Sequence, residues 1–169
     1  MKGHSEGYVL LYPLLFLTLF GLLAAGVLPR YTAWYREARL TYEAERLAGE
    51  LRLLRQVSRI SLMRYAPGDT LYYRPEFRYN EGDRSYWLVV HRHDEKNWLR
   101  KEEIRRYQLP PGMSLQMSNA THGSQLNWLT FGFNGGTSSP TTFRLTYDKE
   151  GAYAKKVVVN AAGRIRVLE

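Results

Sequence analysis

The chain has 169 residues, 44% of them hydrophobic and 24% charged, and 24 Lys and Arg against 16 Asp and Glu give a formal charge of +8. It has no cysteine, which excludes a disulfide framework, a thiolate metal site and a cysteine nucleophile. The length accommodates one ordinary globular domain plus an additional element, and the positive excess favours anionic surfaces such as lipid head groups, cell-wall polymers or nucleic acid.

The first predicted element is apolar. From Tyr8 to Pro29 there is no Asp, Glu, Lys or Arg, and this run of 22 residues is long enough to cross a hydrocarbon core as a helix. A helix pairs its backbone N–H and C=O groups internally, as that environment requires. The residues leave three readings open: a signal anchor, a secretory signal peptide cut near Ala24-Ala25-Gly26, and a membrane helix processed close to its start. A basic n-region consisting only of Lys2, offset by Glu6, counts against the secretory reading. Arg30, Arg36 and Arg39 follow the apolar run, opposite to the positive-inside expectation for an exported C-terminal part. Pro13 falls near the helix start, whereas Pro29 should bend or locally melt the helix by removing one hydrogen bond and crowding the preceding turn.

Beyond Pro29 the spacing predicts helix over 30–65. Leu40, Ala44, Leu47, Leu51, Leu54 and Ser58 recur at intervals of four and three, which defines one buried face. Glu43, Arg46, Glu50, Arg52, Arg55 and Arg59 occupy the other faces and are expected to be solvated, so that Glu50→Ala should be nearly silent. Pro67-Gly68-Asp69 is the stop signal. A helix from Tyr8 to about Tyr65 would measure about 87 Å at 1.5 Å per residue. Gly49 weakens it by about 1 kcal/mol relative to Ala.

Residues 66–169 change texture to short aromatic and β-branched runs broken by turns. Predicted strands are Leu71–Tyr79, Ser85–His91, Ser114–Met117, Leu129–Phe133, Thr141–Tyr147, Lys155–Asn160 and Arg164–Leu168. Glu102-Glu103 with Lys101, Arg105 and Arg106 reads as a solvated charge cluster between strands. Asn134-Gly135 suits positive φ and predicts a hairpin. A helix followed by meandering antiparallel strands gives the fold class α+β: a long N-terminal helix packed on a small antiparallel β-sheet domain.

Catalytic chemistry has no footing in this pattern. A Gly-x-Ser-x-Gly elbow, a His-Glu-x-x-His pair and a phosphate-binding glycine loop are all missing from the sequence. His91 and His93, with Asp94, Glu95 and His122, come nearest to a metal site, but a lone His-x-His spacing does not make one, and no metal or cofactor is assigned. The aromatics Tyr72, Tyr73, Tyr79, Tyr86, Trp87, Trp98 and Trp128 are interleaved with Arg74, Arg78, Arg84, Arg92 and Arg100. These five arginines are candidate DNA contacts, by phosphate pairing beside stacked bases, while packing of the rings into a small core competes with that role.

The stretch Glu6-Gly7-Tyr8-Val9-Leu10-Leu11-Tyr12-Pro13-Leu14-Leu15 resembles the processing site of type IV prepilins. The resemblance implies a leader of residues 1–7 removed by a prepilin peptidase after Gly7, and an N-methylated Tyr8 as first mature residue. It further implies a transmembrane and filament-core helix over 8–29 and a kink at Pro29. Tyr12 stands where the family has a Glu, whose carboxylate pairs with a neighbouring subunit's N-terminal amine during assembly. The later segments Leu109-Pro110-Pro111-Gly112-Met113, Leu129-Thr130-Phe131-Gly132-Phe133-Asn134-Gly135-Gly136 and Val157-Val158-Val159-Asn160-Ala161-Ala162-Gly163-Arg164-Ile165-Arg166-Val167 resemble GspH/FimT-type minor pseudopilins. Their order is more similar still to the ComGD-type minor pilins of competence pili.

What this implies is a non-enzymatic minor pilin of a type IV pilus-like machine for DNA uptake, initiating or capping the filament. Its partners would be other minor pilins, the major pilin, the prepilin peptidase, the inner-membrane assembly platform and DNA. It would cross the cell membrane once with its C-terminal domain outside, and reach the cell surface on assembly. The alternative is a membrane-anchored or secreted basic module that binds DNA or cell wall without polymerising.

Overall fold

The computed structural model describes residues 6–63, 73–94, 97–119, 127–147 and 153–168. The expected stop at Pro67-Gly68-Asp69 and the expected first strand residue Leu71 lie outside the described residues. One helix, α1 (Glu6–Met63, 58 residues), opens the chain and runs unbroken through Pro13 and Pro29. The local melting expected at Pro29 is therefore not present. In the turn that follows, the Thr32 hydroxyl donates to the Pro29 carbonyl at 2.9 Å.

The chain divides into two compact units, Met1–Ala38 and Arg39–Glu169. The described part of the first is helix from Glu6, and its large apolar side chains from Leu11 to Leu28 are exposed. In the second, burial of α1 begins at Leu40. Leu40, Ala44, Leu47, Leu51 and Leu54 are each at most 1% exposed and Ser58 joins them, so the face predicted from the sequence spacing is the face that packs.

Among the described residues the second unit also holds eight strands: β1 (Tyr73–Asn80), β2 (Ser85–Asp94), β3 (Asn97–Gln108), β4 (Met113–Asn119), β5 (Trp128–Thr130), β6 (Thr141–Tyr147), β7 (Tyr153–Val159) and β8 (Ile165–Leu168). They form two four-stranded antiparallel sheets, ordered β3-β2-β1-β5 and β4-β6-β7-β8. Phe77 of the first sheet meets Phe143 of the second edge-on at 5.2 Å, in the same core as the helix leucines. The expected helix on a small antiparallel β domain is thus present, the domain being two sheets that share one core with the second part of α1.

The sequence pattern does not predict β3, because its central run Arg100-Lys101-Glu102-Glu103-Ile104-Arg105-Arg106 has no alternation of apolar residues. It is an edge strand, where charge is tolerated and discourages further pairing. Its register slips by one residue, Leu88 facing Arg105 while Val89 faces Glu103, which leaves Ile104 as an extra, exposed residue. The slip moves Arg105 and Tyr107 to the face that carries Leu88 and Tyr86.

The Asn134-Gly135 turn is real but does not make a hairpin. Gly135 has φ +75°, and its N–H donates to the Gly132 carbonyl at 2.8 Å. Its flanking strands lie in different sheets, β5 beside β1 and β6 between β4 and β7. The sequence signals a reversal of the chain, but pairing partners are set by the core face each strand must bury.

Candidate functional site

The first unit offers one kind of surface. Leu11, Leu14, Leu15, Phe16, Leu17, Leu19, Phe20, Leu22, Leu23, Val27 and Leu28 are all exposed, and the helix is long and apolar enough to cross a membrane. Hydrocarbon side chains on every face of a helix need either lipid or other helices around them. Gly7 and Tyr8 lie in the first turns of α1, and Tyr12, where the resemblance leads one to expect a Glu, is 67% exposed. Where the apolar run ends, Tyr31 packs its ring against Trp34 (6.2 Å) and Tyr35 (6.4 Å), the amphipathic residue types enriched at membrane–water interfaces.

The second part of α1 is tied to the sheets by polar contacts that the sequence did not reveal. Glu43 and Glu50, expected on solvated faces, are buried at 5% and 7% exposure. The Tyr107 hydroxyl donates to both Glu43 oxygens at 2.9 and 3.1 Å, and the Arg46 guanidinium lies 3.3 Å from the centre of the Tyr107 ring. Burial and then the Glu43 carboxylate raise the Tyr107 phenol above its usual range. Arg105 Nη1 donates to Glu50 Oε1 at 2.7 Å. Glu50 is therefore not the solvated residue expected: the register slip in β3 turns Arg105 towards this carboxylate.

Further along α1, Arg55 Nε donates to the Gly135 carbonyl at 3.2 Å. The turn at Ala161-Ala162-Gly163 sits against the same carbonyl: Gly163 has φ +72°, and a Cβ there would lie 1.8 Å from Gly135 O. Thr137 N–H donates to Ala161 O at 2.9 Å. Two turns that read as separate punctuation in the sequence therefore interlock beneath Arg55.

The five candidate DNA-contacting arginines are distributed along β1, β2, β3 and one turn. Arg74 pairs in register with His91, Arg92 stands opposite Arg100, and Arg84 occupies the β1–β2 turn at φ 48°. Arg78 donates to Glu76 at 2.7 Å. Glu76 and His91, both buried, are hydrogen-bonded to each other as well. Burial alone would raise the Glu76 carboxyl, but hydrogen bonds from Arg78 and His91 outweigh it and hold the group below its usual value. His91 thus serves a carboxylate. Glu95 and His122 lie outside the described residues, and among the described residues no cluster of three metal-ligating side chains exists.

Comparison with known proteins places this arrangement. The family model described as Type II transport protein GspH matches residues 43–163. No curated protein matches the chain significantly by sequence. Among solved structures, the minor pseudopilin EpsH from the type 2 secretion system of Vibrio cholerae is similar at 16% identity and TM-score 0.55, over 76% of this chain and 95% of that one. A second EpsH crystal structure gives 13% identity and TM-score 0.56, over 78% and 97%. The type IV minor pilin FimU of Pseudomonas aeruginosa PAO1 is similar at 14% identity and TM-score 0.54, over 78% of this chain and 90% of that one. At such identities the likeness establishes the fold.

Proposed function

Because the chain belongs to the GspH family of type II transport proteins, whose members are non-enzymatic subunits that assemble with other pilins into filaments, we propose that it is a minor pilin built into the tip of a type IV pilus-like filament. The observation that carries the reading is the change along α1, from a helix exposed and apolar between Leu11 and Leu28 to one whose Leu40, Leu47, Leu51 and Leu54 are fully buried. The first stretch suits a bilayer before assembly and a bundle of neighbouring helices after it.

In this reading residues 1–7 are a leader cut after Gly7 by the prepilin peptidase, and Tyr8 is the methylated N-terminus. Residues 8–29 span the membrane, with Pro29 kinking the helix, residues 30–65 lead into the domain, and residues 66–169 lie outside the cell. The assembly platform and the major pilin are the partners. Tyr12 cannot supply the carboxylate that meets a neighbour's amine, whereas the Tyr8 amine can still meet another subunit's carboxylate. The subunit is thus one-sided, which suits initiation or capping.

The proposed machine is one for DNA uptake. The similarity of the C-terminal segments to competence minor pilins and the charge of +8 support this assignment. Intact mass of the native protein tests the processing step: an N-terminus at Tyr8 is expected, and one at Val27 or Met1 would overturn the pilin reading. Deleting the chain should abolish transformation and spare protein secretion; the reverse pattern would assign it to secretion.

A further inference from the structure

The face of the β3-β2-β1-β5 sheet turned away from the core carries an ordered row of side chains. Phe77, Tyr79, Tyr86, Leu88 and Leu129 fill the core, so their alternating neighbours Arg78, Trp87 and Trp128 point the other way. Register aligns them: Trp128 stands opposite Arg78, Arg78 opposite Trp87, and Trp87 opposite Arg106. Tryptophan and arginine therefore alternate across all four strands. The Arg106 guanidinium lies 5.3 Å from the Trp87 ring centre, and Trp128 is 43% exposed. At about 4.8 Å between strands the row is about 14 Å wide, enough for two or three bases on a four-stranded sheet.

We propose that this row, Trp128-Arg78-Trp87-Arg106, is a stacking platform for single-stranded nucleic acid. Each arginine holds a carboxylate, Arg78 that of Glu76 at 2.7 Å and Arg106 that of Glu103 at 3.0 and 3.1 Å. The carboxylates fix the guanidinium planes and leave the row itself close to neutral. Attraction here comes from π faces, which only unpaired bases can meet, rather than from phosphate neutralisation. The other sheet differs. Its aligned outer row, Gln116-Arg144-Lys156-Leu168, carries two cations and no ring, so it attracts any polyanion without regard to strandedness.

The proposal rests on the DNA-uptake reading for its biological sense, and its test is separate from that reading. Full-length protein in detergent micelles is titrated with labelled oligothymidylate of about 12 nucleotides, with a duplex of equal length, and with soluble glycan fragments of cell wall. Single strand should bind more tightly than duplex and quench tryptophan fluorescence. Trp128→Ala should weaken single-strand binding about tenfold with the salt slope unchanged, and Trp87→Phe should retain most of the affinity that Trp87→Ala loses. Arg144→Gln with Lys156→Gln should weaken single strand and duplex alike. Trp128 is exposed, so its replacement leaves the fold intact and decides the matter even where Trp87→Ala does not fold. Equal binding of the two DNA forms, no effect of Trp128→Ala, or quenching by glycan alone would overturn the platform. Failed binding together with lost transformation on deletion would remove the platform and leave the DNA-uptake reading standing.

Discussion

The two parts of α1 are continuous in secondary structure and opposite in chemistry. From Leu11 through Leu28 the helix is apolar on all sides and every residue is exposed; from Leu40 it is apolar on one face, and that face is sealed against two sheets. Helix formation as such distinguishes nothing here. The distribution of apolar residues around the axis assigns one part to a partner outside the chain and the other to the domain's own core. Substitutions in the two parts should therefore fail in different ways.

The largest effect is expected from charge placed on the two apolar surfaces. Leu51→Asp buries an unpaired carboxylate in the core and should unfold the domain, since the desolvation cost rivals the roughly 5–15 kcal/mol that stabilises a typical domain. Leu22→Asp should leave the domain's near-UV circular dichroism intact and reduce membrane insertion, by about 2.5–3.5 kcal/mol for a charge at the centre of a span. Matching behaviour of the two variants in both measurements would erase the distinction between the two parts of the helix.

Next in size is Gly163→Ala. Its Cβ would overlap the Gly135 carbonyl to which Arg55 donates, in a backbone conformation that alanine disfavours. Thermal unfolding should show a loss of at least about 1–3 kcal/mol, the cost of strain at a special φ, to which the overlap adds, while membrane insertion stays unchanged. Glu50→Ala should lower the melting temperature by less. Arg105→Ala should lower it at least as far as Glu50→Ala, because it leaves a buried carboxylate without its partner. The smallest effect has the opposite sign: Gly49 is exposed, with open space where a methyl group would project, so Gly49→Ala should stabilise by about 0.5–1 kcal/mol.

The legible parts of this molecule are those whose signals are local. Leu40, Ala44, Leu47, Leu51 and Leu54 declare a buried face by spacing alone, and the runs around Phe77, Leu88, Leu115, Phe143 and Val157 declare strands by composition. What the sequence hid depends on partners far along the chain. Glu43 and Glu50 look solvated until Tyr107 and Arg105 are brought to them from 64 and 55 residues away. β3 looks like a charged loop because an edge strand needs little apolar surface and because the slip at Ile104 breaks its period. Arg106 belongs to the same misread run, so its alignment with Trp87 is visible only in the register. At the N-terminal end the site is named by resemblance, through Gly7, Tyr8 and Tyr12, since an exposed apolar helix does not itself say which helices surround it.

The composition of the filament tests the one-sided subunit most directly. Pili sheared from cells and analysed by quantitative mass spectrometry should contain this chain in trace amount relative to the major pilin, with its most N-terminal peptide beginning at Tyr8, and cells lacking it should assemble few pili. Absence from sheared filaments while the chain is retained in the membrane, or an abundance matching the major pilin, would contradict a one-sided subunit at the filament tip.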